Sequence, residues 1–335
     1  MQAHDDGPRR AVATHFETAG PRLAVSALNI SFDGQVQTVR GVEFHLGAGE
    51  IFGIVGESGC GKSITCRALM GLLPRKAQVT GTLTVAGRSF DLSEQKALQV
   101  LRGRTCAMIF QDPMSALNPL MTVQGHLSLH LKRNGRPWDT EAVVALLRTS
   151  GMSEPARFLK AYPHQLSGGQ SQRVAIAIAL SGQPDVLIAD EPTTALDVVL
   201  QAQILEELQH MAARTGMSII LISHDIGVIA KYCHRAAVMY AGDVVETGDV
   251  DTLFRHPTHP YTKGLINALP LPSRRGRALE PISGEVPKPG TILQGCTFAP
   301  RCDRRVSDCD RGHIPMQLRG TTKVRCLVPQ GKEAG

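Results

Sequence analysis

Gly56-Glu57-Ser58-Gly59-Cys60-Gly61-Lys62-Ser63 is a G-x-x-x-x-G-K-S stretch, preceded by the apolar run Ile51–Val55 and followed by Ile64-Thr65-Cys66-Arg67-Ala68-Leu69-Met70. Strand, loop and helix in that order is the setting in which such a loop cradles phosphates. A phosphate chain needs several inward N–H donors at close range, and a glycine-rich backbone permits that approach. The helix N-terminus adds partial positive charge. In this arrangement Lys62 reaches the β and γ phosphates as a point charge, and the Ser63 hydroxyl is a ligand of Mg²⁺.

Working outward, the 335 residues suffice for one large domain with an appendage. With 42% hydrophobic and 20% charged residues the composition is that of a globular chain. Aromatics at 4% argue against a nucleic-acid stacking platform. The formal charge of +6 resides in residues 266–335, which hold twelve Lys/Arg against six Asp/Glu, so residues 1–265 are neutral and no nucleic-acid partner is expected. No apolar run is long enough for a membrane span, and Met1–Asp6 lacks the features of a secretory signal. The eight cysteines are then expected to be reduced, in the cytoplasm.

Residues 1–22 are polar and aperiodic and read as a mobile leader. Residues 23–46 alternate like antiparallel strands joined at Asp33-Gly34. Phe32 is the aromatic ring placed to stack on an adenine, or else a strand residue facing the core. A strand is expected at Gly81–Gly87, a short amphipathic helix at Glu94–Leu101, and a strand at Cys106–Phe110 that delivers Gln111 to a sheet edge, where ligands collect. Helices are expected at Met121–Arg133, Glu141–Arg148 and Pro155–Lys160.

Leu166-Ser167-Gly168-Gly169-Gln170 leads into an apolar helix, offering a second N–H-rich helix start. Val186–Ala189 reads as a strand buried on both faces, ending in Asp190-Glu191. Asp190 is placed to hold the metal through water, and Glu191 to accept a proton from an attacking water. Asp197 caps a long helix, Val198–Arg214. Met217–Ser223 is another buried strand, and His224 follows it at the same edge as Lys62, Gln111 and Glu191. Two short strands, 236–240 and 243–246, close the domain.

The ordered set G-x-x-x-x-G-K-S, Gln111, L-S-G-G-Q, V-L-I-A-D-E, A-L-D and His224 resembles the ATP-binding cassette ATPases. The resemblance implies an α/β P-loop NTPase core with an antiparallel β subdomain over residues 23–265, and a helical insert at about 113–180. It implies ATP and Mg²⁺ as cofactors, with Ser63, Gln111 and Asp190 at the metal. Glu191 is then the general base, His224 the γ-phosphate contact and Gln111 the link to a transmembrane partner. The nucleotide-contacting set it implies is Gly56, Glu57, Ser58, Gly59, Cys60, Gly61, Lys62, Ser63, Ile64, Phe32, Ser167, Gly168, Gly169, Gln170 and Asp197. A head-to-tail dimer is also implied, in which one subunit's L-S-G-G-Q covers the other's phosphate loop.

Phe254–Leu265 and Ile109–Pro119 look like the peptide and nickel importer ATPases, and Ala68–Pro74 with Ile226–Ala230 like the first of their two non-identical ATPase subunits. The implied partners are a second ATPase subunit, two permeases at the cytoplasmic face of the inner membrane and a solute-binding protein. Di- or oligopeptides are the implied cargo, with nickel or a metal chelate as the alternative. Two departures stand out: Ser171 replaces a bulkier residue, and residues 125–128 lack an acidic one.

Residues 266–335 read as a small irregular extension with eight prolines and the cysteines Cys296, Cys302, Cys309 and Cys326. Four cysteines in a tail too Pro-rich for a core suggest that a metal supplies the fold. In the family resembled, a [4Fe–4S] cluster has been proposed for such a tail; zinc and unliganded thiols are the alternatives. Arg301, Arg304 and Arg305 beside Cys302 offer charge to offset a cluster. The other four cysteines, Cys60, Cys66, Cys106 and Cys233, read as packing or solvent-facing thiols.

Overall fold

A computed structural model describes residues 20–34, 36–194, 196–269, 282–287, 291 and 294–330. Most of the predicted leader, 1–22, lies outside them, as does much of the basic stretch between 270 and 293.

Two sheets enclose the core. The smaller is antiparallel in the order β2-β1-β4-β5, with β1 Leu23–Phe32, β2 Val36–Leu46, β4 Ala77–Val85 and β5 Arg88–Asp91. The larger has eight strands in the order β11-β12-β10-β9-β3-β8-β7-β6. Its centre, β9 (Arg235–Tyr240), β3 (Ile51–Val55), β8 (Ser218–Ser223), β7 (Val186–Asp190) and β6 (Cys106–Ile109), is parallel throughout. Alternation of side chains divides these strands between two cores. Phe52, Ile54, Ile188, Ile220, Ile222 and Met239 pack under the small sheet. Val55, Leu187, Leu221, Val238 and Tyr240 pack on the other face with α5 (Val198–Thr215) and α6 (Ile226–Tyr232). That double burial explains the continuous apolar runs.

The helical insert has its own core of Leu127, Leu131, Val143, Leu147, Val174 and Ala177. It joins α2 (Val123–Arg133), α3 (Thr140–Thr149) and α4 (Gly168–Leu180). Thr122, Asp139 and Ser167 cap these helices by accepting N–H bonds in the first turn. His126 lies in the 125–128 stretch that lacks the expected acidic residue. It is buried, its Nε2 accepts from Asn118 N at 2.8 Å and its Nδ1 contacts Thr122 O at 2.9 Å, so it pins the Leu117-Asn118-Pro119 segment.

The structure corrects several expected elements. The helix expected at Glu94–Leu101 is a 3-10 turn, Ala97–Leu101, whose buried Leu98 and Leu101 share a face at three-residue spacing. Pro155–Lys160 is likewise a 3-10 turn, Pro155–Phe158, entered through Glu154 at φ 48°, which no α-helix accommodates. Beyond β10 (Asp243–Asp249), two short helices, α7 (Val250–Arg255) and α8 (Pro260–Asn267), follow. The extension is not wholly irregular: β11 (Gln317–Arg319) and β12 (Thr322–Val324) form a hairpin that pairs with β10.

Glu246 of β10 is fully buried and accepts the N–H groups of Thr258 and His259 at 2.7 and 3.0 Å. It thereby fixes the turn into α8, where His259 Nδ1 caps Tyr261 N at 3.0 Å. Glu246→Ala leaves one buried and one part-buried donor without acceptors and is expected to lower stability by about 2–4 kcal/mol in denaturant unfolding of the full chain. An unchanged midpoint would show that water or another group satisfies them.

Candidate functional site

Because β3, β7 and β8 are parallel neighbours, the residues after their C-terminal ends meet along one edge. The loop after β3 approaches β9 so closely that a Cβ on Gly56 would lie 2.1 Å from Met239 O. Lys62 opens α1 (Lys62–Leu69) and is buried. Its ammonium donates to Gly56 O at 2.7 Å and Glu57 O at 3.0 Å, so the loop's own carbonyls hold it. Cys60 is buried beside it, with burial pushing its thiol up. Ser58 and Gly59 are exposed, and Ile64 packs at the edge of the core.

Ser63 Oγ donates to Asp190 Oδ1 at 2.7 Å. Asp190 is fully buried at the end of β7, and its Oδ2 has no hydrogen-bond partner. Burial raises the Asp190 carboxyl above the usual carboxylate range, against the lowering by Ser63, Arg67 and Lys62. A buried carboxylate oxygen without a partner beside a serine hydroxyl is an all-oxygen donor set that fits Mg²⁺.

Glu191 sits at φ 47°, a conformation that costs free energy outside glycine and concentrates at functional sites. Its Oε2 receives Thr194 Oγ1 at 2.9 Å and Gln111 Nε2 at 3.3 Å, and lies 3.2 Å from His224 Nδ1. The structure thus brings together Gln111, Glu191 and His224. Thr194, which the sequence reading passed over, joins them; its place three residues after Glu191 was the available signal.

Ser167 and Gln170 bond each other reciprocally, N to Oε1 at 2.9 Å and N to Oγ at 3.3 Å, a capping box on α4. Ser167 and Gly168 are exposed, and Gly168 and Gly169 lie against Leu196 and Leu200, flanking Asp197. Asp197 Oδ1 accepts from Val199 N and Leu200 N at 3.1 and 2.9 Å. Ser171, fully buried, contacts Met114 in the segment after Gln111. Phe32 is half-buried at the end of β1 and packs on the core cluster.

In the extension, Cys296, Cys302, Cys309 and Cys326 line one cavity together with His259, Phe298 and Arg304. Burial pushes the Cys296 thiol up to about 11 and raises Cys302 and Cys326. Among the described residues no group of three or more His, Cys, Asp or Glu side chains is arranged to hold a metal ion. The three arginines do not all face the thiols, as their position beside Cys302 suggested. Arg304 lines the cavity, but Arg305 pairs with Asp310 at 2.7 Å and Arg301 with Glu57 at 2.8 Å. Outside the tail, Cys60, Cys66 and Cys106 are buried and Cys233 is half-buried, as packing residues are.

The comparisons with known proteins agree with this geometry. Residues 39–194 match the ABC transporter family, and residues 245–309 match the oligopeptide/dipeptide transporter C-terminal region. The dipeptide transport ATP-binding protein DppD of Bacillus subtilis is 47% identical over 91% of this chain and 94% of its own length. The chain belongs to the ABC transporter family. The oligopeptide transport ATP-binding protein OppD of Mycobacterium tuberculosis is 44% identical over 86% of this chain and 48% of its own length. A putative peptide import ATP-binding protein of Brucella abortus is 42% identical over 91% and 94%. Among solved structures, the dimeric post-hydrolysis state of the ATP-binding cassette MJ0796, bound to ADP and Pi, superposes with a TM-score of 0.60 at 26% identity. It covers 68% of this chain and 98% of that cassette. As in other family members, ATP and Mg²⁺ are the nucleotide and metal of this ATPase.

Asp190→Asn tests the metal reading. A raised acid pKa means that the ionised carboxyl destabilises the fold at neutral pH, and that this cost is relieved as pH falls through the raised value. The variant is expected to melt higher than the parent in Mg²⁺-free buffer at neutral pH, with the gap closing in acid, while Mg²⁺-dependent ATP hydrolysis is lost. Melting and ATPase assays across pH check both halves.

Proposed function

We propose that this chain is the ATP-hydrolysing subunit of an importer for di- or oligopeptides. It works at the cytoplasmic face of the inner membrane, beneath two permease subunits, and faces a second, non-identical ATPase subunit; a solute-binding protein delivers the cargo. The observation that carries the reading is the meeting of Gln111, Thr194 and His224 on the Glu191 carboxylate, next to the Ser63–Asp190 pair. No helix among the described residues is long and apolar enough to cross a membrane. The peptide transport names of the relatives support peptide cargo, and the nickel or chelate alternative gains nothing from them. The division proposed is a nucleotide-binding domain at 23–265 with its insert at 113–180, followed by the extension at 266–335.

In hydrolysis, water attacks the γ-phosphorus in line. The new P–O bond forms as the bond to the β–γ bridging oxygen breaks, and the water's proton passes to Glu191 Oε2. His224, with a ring nitrogen 3.2 Å from that carboxylate, is placed to contact the γ-phosphate. Gln111, at the strand end leading to the insert, links the carboxylate to the surface that meets the permeases. Lys62 exchanges its loop carbonyls for phosphate oxygens. Ser63 and Asp190 are the residues that would hold Mg²⁺, which when bound neutralises charge developing on the phosphates. The exposed Ser167-Gly168 corner is free to close on the partner's nucleotide, and Phe32, half-buried at the end of β1, is proposed to stack on the adenine.

The four extension cysteines are proposed to hold a [4Fe–4S] cluster. What supports a shared ligand is that all four thiols line one cavity. His259 lines the same cavity.

Co-expressed with its permeases in proteoliposomes, the chain should show ATPase activity stimulated by peptide-loaded binding protein. Glu191→Gln should lower turnover by about 10²- to 10⁴-fold and stop uptake of labelled peptide. Association with ribosomes instead of permeases would end the reading. For the cysteines, anaerobically purified protein should contain iron and acid-labile sulfide that are lost in Cys302→Ser; stoichiometric zinc would rule the cluster out.

A further inference from the structure

One side chain of the extension reaches the phosphate loop. Arg301 ends the 3-10 turn Ala299–Arg301, and its side chain is only 5% exposed. Its Nη1 donates to Glu57 Oε2 at 2.8 Å and to Tyr240 Oη at 3.4 Å. Its Nη2 donates to Glu57 Oε1 at 3.2 Å and Ile282 O at 3.1 Å, and its Nε to Ser283 O at 2.9 Å. All five guanidinium N–H groups therefore have acceptors, an arrangement that lysine's point charge cannot reproduce.

The other end of this contact is equally fixed. Glu57 N donates to Tyr261 Oη at 2.9 Å, and Glu57 O accepts from Lys62. Tyr261, Tyr240 and Phe298 form one aromatic group, with centroids 4.6 to 5.4 Å apart, on which the guanidinium also rests. The Glu57 side chain has no task in phosphate binding, which a loop performs with backbone N–H groups. Left bare, its carboxylate would repel a triphosphate; paired with Arg301, it is neutralised and becomes an anchor.

We propose that Arg301 is a positioning residue for the ATP site, clamping Glu57 so that the phosphate loop keeps its nucleotide-binding arrangement. The extension is thus a working part of the nucleotide site. This inference rests on the ATPase reading above. The turn that carries Arg301 runs directly into Cys302, one of the thiols that line the cavity.

The test uses the full-length chain, a fluorescent ATP analogue and steady-state ATPase assays, with thermal melting as the control for folding. Arg301→Ala should raise the dissociation constant for nucleotide and the KM for ATP by about tenfold, as loss of a charge-assisted fork implies, with kcat within about twofold. Arg301→Lys should fall between. Arg301→Ala combined with Glu57→Ala should bind more tightly than Arg301→Ala alone, because the uncompensated carboxylate is gone. A folded Arg301→Ala protein with unaltered nucleotide affinity would overturn the proposal, as would a double variant whose losses multiply. If Arg301→Ala does not fold, Arg301→Lys and Glu57→Ala decide, and parental affinity in both overturns it. Wild-type protein that binds no nucleotide would instead remove the ATPase reading.

Discussion

A β-strand buried on both faces can carry polar chemistry only at its ends, and the central strands β3, β7 and β8 are buried along their whole length. Because they run parallel and in register, their C-terminal ends lie side by side. Lys62, Ser63, Asp190, Glu191 and His224 all fall within a few residues of those ends. The apolar strands therefore do two things: they supply the driving force for folding, and they exclude reactive groups from every place except one edge.

At that edge the protein pairs its own groups with each other. Lys62 bonds loop carbonyls, Ser63 bonds Asp190, and Glu191 collects Gln111 and Thr194. A buried ammonium or carboxylate without any partner would cost several kcal/mol, and internal pairing offsets that cost. The exceptions, Asp190 Oδ2 without a partner and Glu191 in a left-handed backbone conformation, concentrate the unmet demand where ligand and water arrive.

The strands and the phosphate loop were legible in the sequence because four- and five-residue apolar runs flanked by glycine or acid carry their own signature. Gln111 and His224 were legible only by position, as the residues that follow such runs. The 3-10 turns at 97–101 and 155–158 were misread as helices, since Leu98/Leu101 spacing fits either period. The hairpin of β11 and β12 was missed because three-residue strands of Gln, Leu, Arg, Thr, Lys and Val show no periodicity. Arg301 was seen, but assigned to the wrong partner. Sequence adjacency to Cys302 suggested the thiols, whereas the fold turns the guanidinium to a carboxylate 244 positions away.

That long-range pair changes what the extension is for. Burying an arginine costs several kcal/mol unless a partner carboxylate and further acceptors compensate it, and here both are assembled from segments far apart in sequence. The turn at 299–301, the start of α8 and the phosphate loop must all be in place for any of them to be satisfied. Glu246 fixes the entry into α8, and the β10–β12 pairing ties the extension to the same strand. The extension and the nucleotide site are therefore coupled through the Arg301–Glu57 pair.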